Sequence, residues 1–166
     1  MRTKVKNIFA SGDVIDKKIP KLTPTASFES EYIAEQILGK NNSPICYPVI
    51  PNLVFTLPRI GQVGVTLDEA EKSADKYKII SIPYGVQNEW IDNRETEIEI
   101  DFIVDNEGFL AGATIFGSEA GTWLDFLTLI INKKITGEEL KHMIFAFPTQ
   151  TYMIATLLTD ILKKSK

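Results

Sequence analysis

The sequence predicts an α+β fold in which an antiparallel sheet is flanked by helices. Its 166 residues are 44% hydrophobic and 24% charged, a size and composition that suit one domain, or one domain plus a piece of another. Residues 96–105 alternate apolar and polar side chains, as a strand with one wet face does. A turn at 105–108, where Gly108 supplies a positive φ, joins this strand to a partner strand over 109–116. Helical apolar stripes and capping sequences lie on either side of this hairpin.

The first 43 residues predict a strand, a loop and a helix. Residues 5–10 form a short apolar run that ends before Gly12 and Asp13. A helix begins at Thr23, because Thr caps a helix well and the following Pro suits its first position. Gly39 ends that helix. Three prolines over residues 44–51 then mark a linker or crossover.

The remaining elements follow in order after this linker. Short strands are predicted at 53–57, 62–65 and 77–83, with a loop at 88–95. Two capping boxes, at Thr66–Glu69 and Thr136–Glu139, predict helix starts. A helix over 119–134, capped by Gly117 and Ser118, is apolar on most sides, so we expect its second face to meet another subunit. The last helix is predicted over 149–163, and the lysines that follow form a solvated tail.

Charge and composition exclude several classes of function. The net charge is −4 and the isoelectric point is about 5.1, so the basic surface of a nucleic-acid-binding protein is absent. One cysteine, Cys46, excludes an internal disulfide or redox pair, and a partly buried, inert thiol is favoured over a reactive one. One histidine, His142, is expected late in a helix, solvated or paired with the helix dipole, and no metal site is expected. Without a membrane-length apolar segment or a signal peptide, we expect a soluble cytoplasmic protein with no membrane partner.

Three carboxylates leave a small stand-alone enzyme open as an alternative. Glu97, Glu99 and Asp101 alternate along one predicted strand, so they share one face. Their spacing suits a carboxylate cluster, although the solvated outer face of an antiparallel sheet is the favoured interpretation.

Four motifs follow one another along the chain: Asn7-Ile8-Phe9-Ala10-Ser11-Gly12-Asp13, Leu22-Thr23-Pro24-Thr25-Ala26, residues 55–70 and residues 108–121. In this order they resemble the C-terminal portion of the flavin-dependent pyridine nucleotide-disulfide oxidoreductases, the group of glutathione reductase and dihydrolipoamide dehydrogenase. The resemblance covers nearly the whole chain. The Gly-rich FAD fold, the redox cysteine pair and the NAD(P)-binding domain of that family are missing, so the chain is expected to be an expressed fragment or a truncated gene product, and the initial Met suggests an engineered start.

The resemblance implies two regions with different partners. Residues 1–43 would be the C-terminal remnant of the FAD-binding domain, and residues 44–166 the dimerisation domain. In the family, the Asp matching Asp13 accepts a hydrogen bond from the ribityl chain of FAD, and the helix that begins at Thr23 faces the flavin. The cofactor-binding candidates are Gly12, Asp13, Leu22, Thr23 and Ala26. The parent enzyme would use FAD and NAD(P), whereas the isolated chain is expected to bind no flavin.

A catalytic motif of the family occurs near the C-terminus without its catalytic residues. Where the family has His-Pro-Thr-x-Ser-Glu, this chain has Phe147 in the His place and Tyr152 in the Glu place, and neither ring shuttles protons near neutral pH. In the family this loop crosses the dimer interface and contains a cis proline, so we expect a cis Phe147–Pro148 bond. For the Phe147 ring, core or interface packing is favoured over substrate contact.

These expectations predict a homodimerisation module that is not catalytic by itself. The parent would be a glutathione reductase-like oxidoreductase. The alternative is a divergent reductase of this family that acts on a metal ion, a quinone or another non-glutathione acceptor.

Overall fold

The computed structural model describes residues 1–87 and 95–162, and the chain divides into two compact units between Ile50 and Pro51. We call residues 1–50 the N-terminal unit and residues 51–166 the C-terminal unit. The loop predicted at 88–95 lies, apart from Glu95, outside the described residues, as does the predicted lysine tail.

The N-terminal unit contains a 3-10 turn and one long helix. The turn spans Gly12–Val14, and α1 spans Thr23–Ile37. The strand predicted over 5–10 is wrong: an isolated bridge between Arg2 and Phe9 replaces it, because residues 3–8 fold back on themselves instead of meeting a second strand. The predicted cap is also wrong, since Leu22 is the N-cap and Thr23 is already helical. The predicted end of the helix is confirmed, with Gly39 at φ 68°.

The C-terminal unit is built on a five-stranded antiparallel sheet, which confirms the predicted fold class. Its spatial order is β1-β2-β5-β4-β3, and every neighbouring pair is antiparallel. The hairpin between β4 and β5 is as predicted: Gly108 has a φ of 86°, and Asp105 Oδ1 accepts hydrogen bonds from the amides of Glu107 and Phe109. The strands are β1 (Asn52–Val54), β2 (Arg59–Gly64), β3 (Tyr77–Ile82), β4 (Glu99–Asp105) and β5 (Leu110–Gly117).

Within the described residues of the C-terminal unit, the helices beside the sheet are α2 (Leu67–Lys72), α3 (Tyr84–Gln87), α4 (Ala120–Lys133), α5 (Gly137–Lys141) and α6 (Gln150–Ile161). Both predicted capping boxes are confirmed at the starts of α2 and α5. The predicted cap of α4 is wrong, because Glu119 is its N-cap. The carboxylate of Glu95 accepts the Ser118 amide at 2.8 Å and the Ser118 hydroxyl at 2.5 Å.

The apolar core lies between the sheet and its helices. α4 packs on β2 and β5 and buries Trp123, Leu127 and Ile130. On β4, three successive residues from Phe102 to Val104 are buried, so the strand has a wet face only in its first half. α2 packs on β3 and β4, which explains why the predicted alternation of buried and exposed residues stops there.

Candidate functional site

The segment between α5 and α6, residues 142–149, presents apolar side chains to solvent, and we call it the Phe147 loop. Ile144 is fully exposed, Phe147 is 64% exposed and Met143 is 46% exposed. The Phe147–Pro148 bond is cis, as predicted, and Leu57–Pro58 is a second cis bond that was not predicted. Exposed apolar groups in a defined loop are typical of a binding surface.

Thr149 connects this loop to the helix that follows it. As the N-cap of α6, its Oγ1 accepts a hydrogen bond from the Tyr152 amide at 3.1 Å. The same hydroxyl donates to the carbonyl oxygen of Ala146 at 2.7 Å. Thr149 therefore holds the loop and the first turn of α6 together, and places Tyr152 at the third helical position.

Phe147 and Tyr152 are in direct contact. Their ring centroids are 5.2 Å apart and the rings are inclined by 80°, an edge-to-face pair. The resemblance assigns these two positions to the family's His and Glu. The contact brings the two rings together, and the phenylalanine ring carries no proton to transfer.

The Phe147 loop continues into an apolar stretch of α4. The ring of Phe145 meets that of Phe126 edge-on, with centroids 5.8 Å apart. Leu129, one turn further along α4, is 51% exposed. α4 thus buries one side in the core and leaves apolar side chains on another, as its sequence predicts. We refer to Phe126, Leu129, Met143, Ile144 and Phe147 as the apolar surface.

The cofactor-binding candidates gather at the start of α1. Gly12 is buried with a φ of 72°, and a Cβ at this position would lie 3.3 Å from Cβ of Ala26. Asp13 and Thr23 are exposed and Leu22 is half-buried. An exposed carboxylate beside the amides of a helix N-terminus suits the hydroxyls and polar edge of a flavin, so these residues fit the part of the cofactor that the resemblance assigns to them.

Sequence reasoning missed Glu29, a fully buried carboxylate on α1. It accepts hydrogen bonds from the Gly12 amide at 2.6 Å and the Tyr47 hydroxyl at 2.7 Å, and it pairs with the Lys17 ammonium. Burial raises the pKa of Glu29, but the bonds from Lys17, Gly12 and Tyr47 outweigh it and hold the pKa below the ordinary value. Burial, together with the adjacent Glu29 carboxylate, raises the pKa of Tyr47 to about 12. The sequence signal that could have identified Glu29 is its position within the apolar stripe of α1, which includes Ala26 and Ile33.

Cys46, His142 and the carboxylates of β4 are the other residues that the sequence singles out. Cys46 is exposed, so the predicted partly buried thiol is wrong: the proline-bounded segment leaves its side chain on the surface. His142 ends α5, with Nδ1 2.8 Å from the carbonyl oxygen of Glu138, as expected for a solvated histidine at a helix end. On β4, Asp101 accepts a hydrogen bond from the Ser81 hydroxyl at 2.5 Å.

The described residues also bear on metal sites and on membrane-spanning helices. Within residues 1–87 and 95–162, no group of three or more His, Cys, Asp or Glu side chains is placed to hold a metal ion. In the same ranges, no helix has both the length and the apolar character needed to cross a membrane.

Comparisons with known proteins agree on one family. Residues 50–158 match the family described as pyridine nucleotide-disulphide oxidoreductase, dimerisation domain. A 19.7 kDa uncharacterized protein in the mercuric resistance operon of Staphylococcus aureus is 32% identical over 156 residues, covering 92% of this chain and 85% of that protein. The dihydrolipoyl dehydrogenase of Halobacterium salinarum is 35% identical over 149 residues, covering 89% of this chain but only 31% of the enzyme.

Solved structures show the same fold. The flavoprotein disulfide reductase RclA of Escherichia coli, in its Cu(II) complex, matches with a TM-score of 0.82 at 21% identity, covering 98% of this chain and 37% of that chain. LpdA of Mycobacterium tuberculosis matches with a TM-score of 0.78 at 22% identity, covering 96% of this chain and 34% of that chain. Because the family match covers more than half of the sequence, the chain belongs to the pyridine nucleotide-disulphide oxidoreductase family through its dimerisation domain.

Proposed function

We propose that this chain is a homodimerisation module and that the apolar surface forms part of the interface between two copies. The observation that supports it most directly is the exposed Phe147 loop within a domain of the family's dimerisation type. Obligate homodimer interfaces commonly bury more than about 2,000 Å² and resemble a domain core cut in half. Fully exposed Ile144 and half-exposed Leu129 are side chains that such an interface would bury.

Sedimentation velocity tests the proposal directly. The wild-type chain is expected to sediment as a dimer at micromolar concentration. Ile144→Asp places a charge at a fully exposed position, so it leaves the fold of each copy intact but introduces an unpaired charge into the interface, and this variant is expected to dissociate.

The matched control introduces the same negative charge at an exposed apolar position of the N-terminal unit. Val14 is 81% exposed and belongs to the N-terminal unit, so Val14→Asp is expected to remain dimeric. A monomeric wild-type chain at these concentrations would overturn the proposal. Equal dissociation of both variants would show that added charge, and not the apolar surface, controls association.

The activity of the whole protein is a wider proposal, because the chain spans only 31% of the dihydrolipoyl dehydrogenase that it matches. We infer that residues 1–43 are the end of an FAD-binding domain, that residues 44–166 form the dimerisation domain, and that the parent is a cytoplasmic reductase using FAD and NAD(P). In that parent, Gly12, Asp13, Leu22, Thr23 and Ala26 would contact the flavin; bound FAD supplies the redox chemistry. This chain by itself is expected to be colourless, and a stoichiometric flavin absorbance band after purification would contradict this.

A second candidate is a parent reductase whose acceptor is not glutathione disulfide. The contact between Phe147 and Tyr152 favours it, because the two positions that carry the family's acid/base pair are both aromatic. The similarity to a protein in a mercuric resistance operon suggests a metal ion as one acceptor to test; a quinone or another disulfide are the others. Steady-state assays of the parent with each acceptor distinguish them, and efficient reduction of glutathione disulfide would contradict this candidate.

A further inference from the structure

The N-terminal unit is organised around a buried carboxylate. Within residues 1–50, all of which the structure describes, the buried side chains are those of Thr25 and Glu29. The buried apolar residues of the described chain run from Val63 to Leu162 and therefore lie in the C-terminal unit. The fully buried contact of this unit is therefore polar, whereas the C-terminal unit has a buried apolar core.

Glu29 connects its own helix, α1, to three other segments of the unit. It lies on α1 and is bonded to Gly12 in the 3-10 turn, to Lys17 in the following loop and to Tyr47 in the segment after the helix. These partners are 17, 12 and 18 residues away along the chain. Because Lys17 is itself 9% exposed, both members of the ion pair are withdrawn from solvent. A buried carboxylate with three donors is well satisfied only while all three segments stay in place.

We propose that ionised Glu29 is a conformational switch for the N-terminal unit: protonating it releases the Gly12–Asp13 turn and the segment around Tyr47 while the C-terminal unit stays folded. The exposed Asp13, whose carbonyl oxygen accepts a bond from Lys21, would then lose its fixed position beside α1. This proposal concerns a different unit from the apolar surface and does not depend on dimer formation.

The direction of the pH dependence follows from the groups that face Glu29. Lys17 from the loop is the facing cation, Tyr47 is the facing phenol, and the 3-10 turn contributes the Gly12 amide, with Asp13 turned to solvent. Since the pKa of Glu29 is lowered on folding, its contribution to stability is complete above the ordinary carboxyl pKa and is lost as the pH falls through the lowered value. Tyr47 acts in the opposite sense: with its pKa raised to about 12, its contribution is lost as the pH rises through that value.

Hydrogen exchange of the full chain, measured by mass spectrometry near neutral pH, tests the switch. Glu29→Gln keeps the size of the side chain but removes its charge. Peptides covering the Gly12–Asp13 turn and Tyr47 are expected to lose protection by about tenfold or more, whereas peptides from 51–162 stay unchanged. Glu31→Gln is the matched control, because Glu31 is exposed on the same helix, and it is expected to exchange like the wild type.

Hydrogen exchange measured over a series of pH values distinguishes a switch from a purely structural role of Glu29. After correction for the intrinsic pH dependence of exchange, the wild-type N-terminal unit is expected to lose protection on acidification before the C-terminal unit does, and Glu29→Gln is expected to lack this step. Tyr47→Phe, which removes one of three donors, is expected to loosen only the segment around residue 47. Unchanged protection in Glu29→Gln, or acid opening of both units in one step, would overturn the proposal.

Discussion

At the scale of single residues, the sequence indicates Phe147 and Tyr152 more readily than it indicates the residue that holds the N-terminal unit together. Both belong to one linear motif, and they lie on either side of Thr149, the N-cap of α6. Glu29 has no such motif, since its three partners come from distant segments. A buried charge is recognised from its partners, and the sequence does not reveal which distant segments will supply them.

Two glycines in adjacent strands provide a residue-level prediction. A Cβ at Gly112 on β5 would collide with the Val65 carbonyl oxygen and fall 2.7 Å from the Val65 amide nitrogen, so the backbone would have to shift. Gly112→Ala is therefore expected to cost about 3 kcal/mol of unfolding free energy. At Gly61 on β2 the added carbon would lie 3.4 Å from the flexible end of Leu124, so Gly61→Ala is expected to cost less than about 1 kcal/mol.

Urea denaturation of the two variants at one protein concentration measures this difference. Equal midpoints for Gly112→Ala and Gly61→Ala would show that the backbone of β5 and the residue after β2 are not held as closely as the structure places them.

At the scale of elements, signals that combine several nearby residues were more reliable than the single caps predicted for α1 and α4, and more reliable than long-range pairing. Both capping boxes and the hairpin at Gly108 depend on residues a few positions apart, and each was predicted correctly. The strand expected over 5–10 lacked a neighbouring strand, which no local pattern can supply. The short α3 was missed because it depends on a distant contact, the bond from the Gly85 amide to the Ile98 carbonyl oxygen.

The capping box of α5 gives an element-level prediction. Thr136 Oγ1 accepts the Glu139 amide at 3.1 Å, while the Glu139 carboxylate accepts the Thr136 amide at 2.7 Å. Thr136→Ala removes the hydrogen bond from the Glu139 amide to Thr136 Oγ1 and is expected to cost about 1 kcal/mol of unfolding free energy. The hydrogen bond from the Thr136 amide, followed by that from the Thr136 hydroxyl, lowers the pKa of Glu139. The capping box therefore contributes to stability above the ordinary carboxyl pKa, and this contribution declines as the pH falls through the lowered value.

Thermal unfolding near neutral pH and again in acid measures both parts of this prediction. Thr156→Ala is the control, because Thr156 is exposed within α6 and donates only to the carbonyl oxygen of Tyr152; alanine in a helix interior is favourable, so no loss is expected. If Thr136→Ala were as stable as this control, the capping box would contribute nothing to the unit.

At the scale of the whole molecule, the chain combines a sheet domain with a conventional apolar core and an N-terminal unit with a polar one. The sheet domain was predicted well because strand alternation and helix stripes report burial directly. The family resemblance predicts a dimerisation domain, and the family match over residues 50–158 confirms that domain type. Neither the sequence pattern nor the family resemblance predicts the polar contact of the N-terminal unit. Its order depends on one carboxylate, Glu29, and an apolar pattern does not identify a buried charge.

The proposed dimer has a consequence for the stability of the whole molecule. Association that occurs only in the folded state stabilises that state by mass action, so the unfolding midpoint of the wild-type chain should rise with protein concentration. For a domain of this size, a hundredfold increase is expected to raise the midpoint by about 3–6 °C. Ile144→Asp is expected to unfold at a midpoint independent of concentration, because its fully exposed side chain contributes to stability only through the partner. Val14→Asp should keep the wild-type dependence; a wild-type midpoint that stays constant over this range would mean that the apolar surface remains open to solvent in the folded state.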